Sequence, residues 1–144
     1  MQEQNFKNHA QMVPLYHYVL LSAILALIIG SIVNLVRTCN AGENLYNASL
    51  ICLIAVIVFL LAWFCRSFSL KAQDRAIRAE ENLRYFAITG KLLDSKLRIG
   101  QIIALRFASN NEFVALAHRA VEENLSSKEI KQAIQHWKGD YYRV

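Results

Sequence analysis

The chain has 144 residues, sized for one compact domain rather than two large ones, and its 16 basic against 11 acidic residues leave a net charge of +5. Its residues are 55% apolar and only 19% charged, where an ordinary soluble domain carries about 25% charged residues. One proline and five glycines exclude collagen-like and low-complexity chains, and three cysteines without CxxC spacing exclude a disulfide framework or a zinc finger.

Residues 1–13 read as a polar cytoplasmic tail whose one basic residue is Lys7. Residues 14–36 read as a first transmembrane helix: they carry no Asp, Glu, Lys or Arg, and a span needs roughly 20 largely apolar residues. Residues 37–47 (RTCNAGENLYN) are a short external loop, and residues 48–68 are the second span, with 18 uncharged positions from Ala48 to Cys65 before Arg66, which can snorkel. Both runs exceed the length of an ordinary buried core helix, so the pair is expected to form an antiparallel transmembrane hairpin. Tyr16, Tyr18, Tyr46 and Trp63 fall near the span ends, where aromatic belts lie. Ala23, Ala26, Gly30 and Asn34 share one face of the first span, and Cys52, Ala55 and Ala62 one face of the second. Small residues let helices approach closely, so these are the expected helix-packing positions, within the hairpin or between copies. With no acidic, basic or histidine residue mid-span, a proton relay or ion path is not expected. His17 at the inner edge lacks a facing histidine for haem, Cys39 reads as a bystander thiol, and Asn47-Ala48-Ser49 reads as a chance sequon.

Residues 69–144 read as a small helical cytoplasmic domain continuous with the second span. Arg66, Lys71, Arg75 and Arg78 follow that span closely, whereas the loop has only Arg37, so the positive-inside rule places both termini in the cytoplasm. The same four residues could contact anionic lipid headgroups; setting topology is the favoured role. From Ser69 to Thr89, Ala72, Ala76, Ala79, Leu83 and Phe86 recur at 4, 3, 4, 3 spacing as one apolar stripe, and Asp74–Arg78 and Glu80–Arg84 are i,i+4 pairs. Gly90 is a C-cap, and a second helix is expected over Asp94–Ser109. A third begins near Asn110 with Phe113, Leu116, Ala117, Ala120 and Val121 on one face. The last starts at Ser126, whose spacing to Glu129 is that of a capping box, and buries Ile130, Ala133, Ile134 and Trp137. The turn between the last two helices fits a helix-turn-helix, but Glu122, Glu123 and Glu129 oppose phosphate, so nucleic acid is not the expected partner. No GxSxG, P-loop, GxGxxG or HExxH occurs, and His9, His118 and His136 lack metal-ligand spacing. No catalytic residue, metal or cofactor is therefore assigned, and the chain reads as a non-enzyme.

Five stretches carry a resemblance: Gln4–His9, Pro14–His17, Lys71–Glu81, Gln101–Ser109 and Trp137–Val144. Together they resemble an uncharacterised bacterial family, of Bacteroidota type, of small two-span membrane proteins classed as a domain of unknown function. The resemblance implies the topology above and no activity. Within these stretches Gln73, Arg75, Arg78, Gln101 and Arg106 sit on or beside apolar helix faces. A buried guanidinium needs a carboxylate or carbonyl partner, which Asp74, Glu81 or the chain terminus could supply. Gln73, Asp74, Glu81, Gln101 and Arg106 are thus candidates for fixing the cytoplasmic helices or docking a protein. The expected function is that of a non-catalytic accessory or scaffold protein, packing with partner subunits or copies of itself amid membrane lipids. The alternative is a membrane-surface regulatory module reading anionic lipid or, less well supported, nucleic acid through its basic face.

Overall fold

The computed structural model of the chain describes residues 4–6, 8–9 and 12–141; Lys7 of the N-terminal tail and Tyr142, Arg143 and Val144 of the C-terminal stretch lie outside the described residues. Among the described residues every regular element is helical, and one isolated antiparallel bridge joins Ala108 to Trp137. The chain divides into two compact units, residues 12–69 and residues 70–144 together with the N-terminal 11.

In the first unit Pro14 opens a helix that begins as a π-helical turn, Leu15–Leu20, and continues as α1, Leu21–Ala41. Proline suits a helix start because its missing N–H is one that a first turn leaves unused. Val13 N–H donates to His17 Nδ1 at 3.1 Å, so His17 serves the helix start. Gly42 ends α1 in the left-handed region (φ +72°), its N–H donating to Thr38 O at 3.0 Å. Asn44, also at positive φ (+55°), precedes α2, Leu45–Thr89, of 45 residues. The expected 11-residue loop thus contracts to Gly42–Asn44. Hydropathy locates where apolar residues stop, but a helix continues until the backbone needs a conformation that glycine supplies. The Asn47-Ala48-Ser49 triplet consequently lies in the first turn of α2, with Ala48 buried. The helices Leu15–Ala41 and Leu45–Thr89 are both long and apolar enough to cross a membrane.

The faces that meet are Ile24 and Ser31 of α1, with Ile28 and Leu35 half-buried, against Ala48 and Ala55 of α2, with Cys52 and Ala62 half-buried. Cys52 Sγ donates to Ser31 O at 3.3 Å, and Tyr16 OH to Ala62 O at 3.0 Å. Of the small residues singled out on α2, Ala55 is buried and Cys52 and Ala62 are half-buried, while Ala23, Ala26, Gly30 and Asn34 of α1 are exposed in the single chain. Close approach needs small residues on one partner only; Ala48 and Ala55 supply them, and α1 fits Ile24 against that smooth face.

In the second unit the final turns of α2 end at Gly90 (φ +73°), whose N–H donates to Phe86 O at 2.8 Å. A side chain there is strained, so Gly90→Ala is expected to lower the stability of this unit by about 1 kcal/mol in thermal unfolding. Three short helices follow: α3 (Ile99–Leu105), α4 (Asn110–Glu122) and α5 (Ser127–Ala133). Helix α3 is shorter than the expected Asp94–Ser109. Asp94 Oδ1 accepts the Lys96 N–H (2.8 Å) in a turn before it. After it, the chain extends to pair with the segment following α5, through Ser109 N–H to His136 O (3.0 Å) and Lys138 N–H to Phe107 O (2.7 Å). Leu105, Phe107, Phe113 and Ile130 are fully buried, with Tyr85, Ile102, Leu116 and Ala120 around them. Ser126 caps α5 as expected; its hydroxyl and backbone N–H both hydrogen-bond Glu129 and hold that carboxyl below the usual carboxylate range.

The stripe of Ala72, Ala76, Ala79, Leu83 and Phe86 does not face this core: all five are exposed, Leu83 at 68% and Phe86 at 50%. The packed face of α2 is Ile77, Glu81 and Tyr85. Periodicity identifies an apolar face, but here the polar Glu81 and Arg84 meet the rest of the unit, because their hydrogen bonds are satisfied there.

Candidate functional site: a polar lock in the second unit

Arg84 sits at the centre of this contact. Its Nη1 meets Glu81 Oε2 at 3.0 Å, its Nη2 donates to Ala108 O at 2.6 Å, and its Nε donates to Asn110 Oδ1 at 2.8 Å. The guanidinium also lies 4.2 Å from the centroid of the Phe113 ring. The planar fork of arginine suits three partners in different directions. The expected Glu80–Arg84 pair is therefore replaced by Glu81–Arg84, with Glu80 exposed.

Arg106, buried at 8% exposure, pairs with Asp140 at 3.1 Å and lies over the Phe107 ring at 4.7 Å. Its carboxylate thus comes from the C-terminal stretch, brought near by the pairing of 107–109 with 136–138, and not from Asp74 or Glu81. Gln4 reads the backbone of the same residue: Asp140 N–H donates to Gln4 Oε1 (2.8 Å) and Gln4 Nε2 to Asp140 O (3.0 Å). His9 packs edge-on to Phe107 and tilted against Trp137, with ring centroids 5.7 and 5.8 Å away, and its Nε2 lies 3.0 Å from Lys131 Nζ. Gln4 and His9 thus both meet the segment that follows α5.

Gln101, also buried, accepts the Arg98 N–H at 2.7 Å at the start of α3 and donates to Leu125 O at 2.8 Å beyond α4. Glu112 accepts backbone N–H groups from Gln135 and His136, each at 3.0 Å, and from Ser109 at 3.3 Å. Of the five polar candidates, Glu81, Gln101 and Arg106 are thus internal fasteners. Gln73 and Asp74 are half-buried on α2 outside this lock. Of the basic cluster, Lys71, Arg75 and Arg78 are exposed in the second unit, while Arg66 in the first lies over the Tyr16 ring at 5.6 Å. Sequence reasoning missed Arg84 as the hub, Glu112 and Asp140. Glu112 had a signal, the Ser109-x-x-Glu112 capping spacing; Asp140 had none, because its partner is 34 residues away.

Open polar clefts lie among the described residues, one of about 500 Å³ at the hairpin turn beside Asn34, Arg37, Glu43 and Asn47, one of about 410 Å³ between Gln4, Asn5, His136 and Tyr141, and a smaller one of about 100 Å³ beside Glu81, Arg106 and Asp140. Tyr85 OH lies 3.1 Å from His118 Nε2. Among the described residues no three His, Cys, Asp or Glu side chains gather as metal ligands. The lock spends its charges on internal partners, so its chemistry is that of holding the fold, and what faces outward is apolar stripe and basic helix surface.

A family model described as a family of unknown function (DUF6526) matches residues 1–144. No curated protein matches the chain, and neither does any solved structure.

Proposed function

Because the chain belongs to the DUF6526 family, whose function is unknown, we propose from its surfaces that it is a non-catalytic integral membrane protein. In this reading it is an accessory or scaffold protein of a bacterial inner membrane, of Bacteroidota type. It acts by packing its helices against partner subunits or further copies. The observation that carries the reading is the outward-facing apolar surface of the first unit. Leu25, Ile29, Ile32, Leu53, Leu61 and Trp63 are all more than half exposed, and only 11% of each apolar window is buried. Patches of that extent are unfavourable in water and need lipid or protein cover. Arg66, Lys71, Arg75 and Arg78, which follow the second apolar helix closely, support a cytoplasmic side for the residues after it by the positive-inside rule.

Native mass spectrometry of the tagged chain, extracted from its own membrane in mild detergent, tests this. The expected mass contains further copies or other chains. A single chain alone, across a range of mild detergents, overturns the scaffold reading.

The exposure of Lys71, Arg75 and Arg78 favours a second reading, a module whose basic helix surface binds anionic lipid. Retained anionic lipid that is stripped by raised salt, and lost when the three residues become Gln, is its signature.

A further inference from the structure

Resting on the membrane reading above, we propose that the unpartnered face of α2 between residues 72 and 86 is the seam of a parallel two-stranded coiled coil with a second copy of this chain. The spacing 4, 3, 4, 3 of Ala72, Ala76, Ala79, Leu83 and Phe86 is a heptad seam, with 76 and 83 at position a and 72, 79 and 86 at position d. All five are exposed, while Ile77, Glu81 and Tyr85 attach the other side of the helix to its own unit, so the folded unit leaves the seam accessible. Three alanines let two backbones approach closely, and Leu83 and Phe86 fill the wider end.

Charge identifies the occupant. In this register Arg75 takes position g and Glu80 position e of the next heptad, and both are exposed. In a parallel pair, g of one strand faces e of the following heptad on the other, so Arg75 meets Glu80 of the second copy, twice by symmetry. An antiparallel pair sets g against g and e against e and forfeits both contacts. Copies held by α2 in one bilayer share a chain direction, which is the parallel arrangement, and the shared anchor raises the effective concentration for so short a seam.

The test uses the full chain in native membranes with Cys39, Cys52 and Cys65 replaced by Ser, and single cysteines at Ala72→Cys, Ala79→Cys, Leu83→Cys and, off the seam, Arg78→Cys and Ile88→Cys. Mild oxidation is expected to give disulfide-linked dimers at the three seam positions and several-fold less at the other two. Linkage of 72 to itself requires the parallel register, since an antiparallel seam places it opposite 86. In the Ala79→Cys chain, Arg75→Glu is expected to lower the dimer yield roughly threefold, and adding Glu80→Arg to restore it. Equal linkage on and off the seam, no linkage at the seam, or insensitivity to the charge swap overturns the proposal. An alkaline-carbonate wash of the same membranes separates the two readings. Chain released by the wash defeats the membrane reading, while chain that stays in the pellet without seam-specific linkage defeats the coiled coil alone.

Discussion

Arg84→Ala is expected to destabilise the second unit by about 3–5 kcal/mol, the cost of breaking a buried ion pair from one side. The Arg84 side chain is 11% exposed and its partner Glu81 7%. Truncation leaves the buried Glu81 carboxylate and the carbonyl of the buried Ala108 without their donor, while the exposed Asn110 amide turns to water. It also removes the cation over Phe113. Arg84→Lys keeps the charge but offers a compact ammonium that cannot reach three divergent acceptors, so it is expected to recover only part of the loss. Removing both charges together, as Glu81→Leu with Arg84→Met, should cost less than Arg84→Ala because no buried charge is stranded. Amide hydrogen exchange over α3 to α5 in the full chain reads the effect. Protection in Arg84→Ala equal to that of the parent would show that the lock contributes nothing.

Phe107→Ala is expected to cost about 3–5 kcal/mol, the range for removing a buried aromatic ring. Phe107 is 0% exposed and organises four neighbours: Trp137 and His9 rings at 5.2 and 5.7 Å, and the cations of Arg106 and Lys131 at 4.7 and 5.7 Å. Its loss undermines both chain ends at once, since Trp137 lies in the C-terminal stretch and His9 in the N-terminal one. With Trp63→Phe as background, the emission of Trp137 should shift to the red and thermal unfolding should occur at lower temperature. Leu83→Ala is the contrast: at 68% exposure it should leave the unit within about 0.5 kcal/mol of the parent, so any loss of association it causes belongs to the helix face and not to folding. Unshifted Trp137 emission in Phe107→Ala would remove Phe107 from the centre of this core.

Much of this architecture was legible in the residues. Uninterrupted apolar runs, the absence of a breaker between Ser69 and Thr89, Gly90 as a stop and Ser126 with Glu129 as a start are local signals, and each corresponds to an element or cap in the structure. The packing positions on the second long helix, Cys52, Ala55 and Ala62, were legible for the same reason. The partner face on the first long helix was not. Several faces of an all-apolar helix look alike in sequence, and the choice of Ile24 and Ser31 over Ala26 and Gly30 depends on the surface that α2 offers.

The polar lock divides along the same line. Gln101 and Arg106 were recognisable as polar residues among apolar ones, but their partners were not. Leu125 and Asp140 lie 24 and 34 residues further on and come close only when the helices fold back. By itself the sequence determined that the chain is helical, that two of its helices can cross a membrane, and where most helices start or stop, because backbone propensity, capping and hydropathy act over a few residues. Only the tertiary structure decided which face of each helix is covered, which carboxylate meets which guanidinium, and that the stripe from Ala72 to Phe86 stays open. Those choices are settled by how completely buried polar groups can be satisfied across distant segments, and that balance exists only once the segments are in contact.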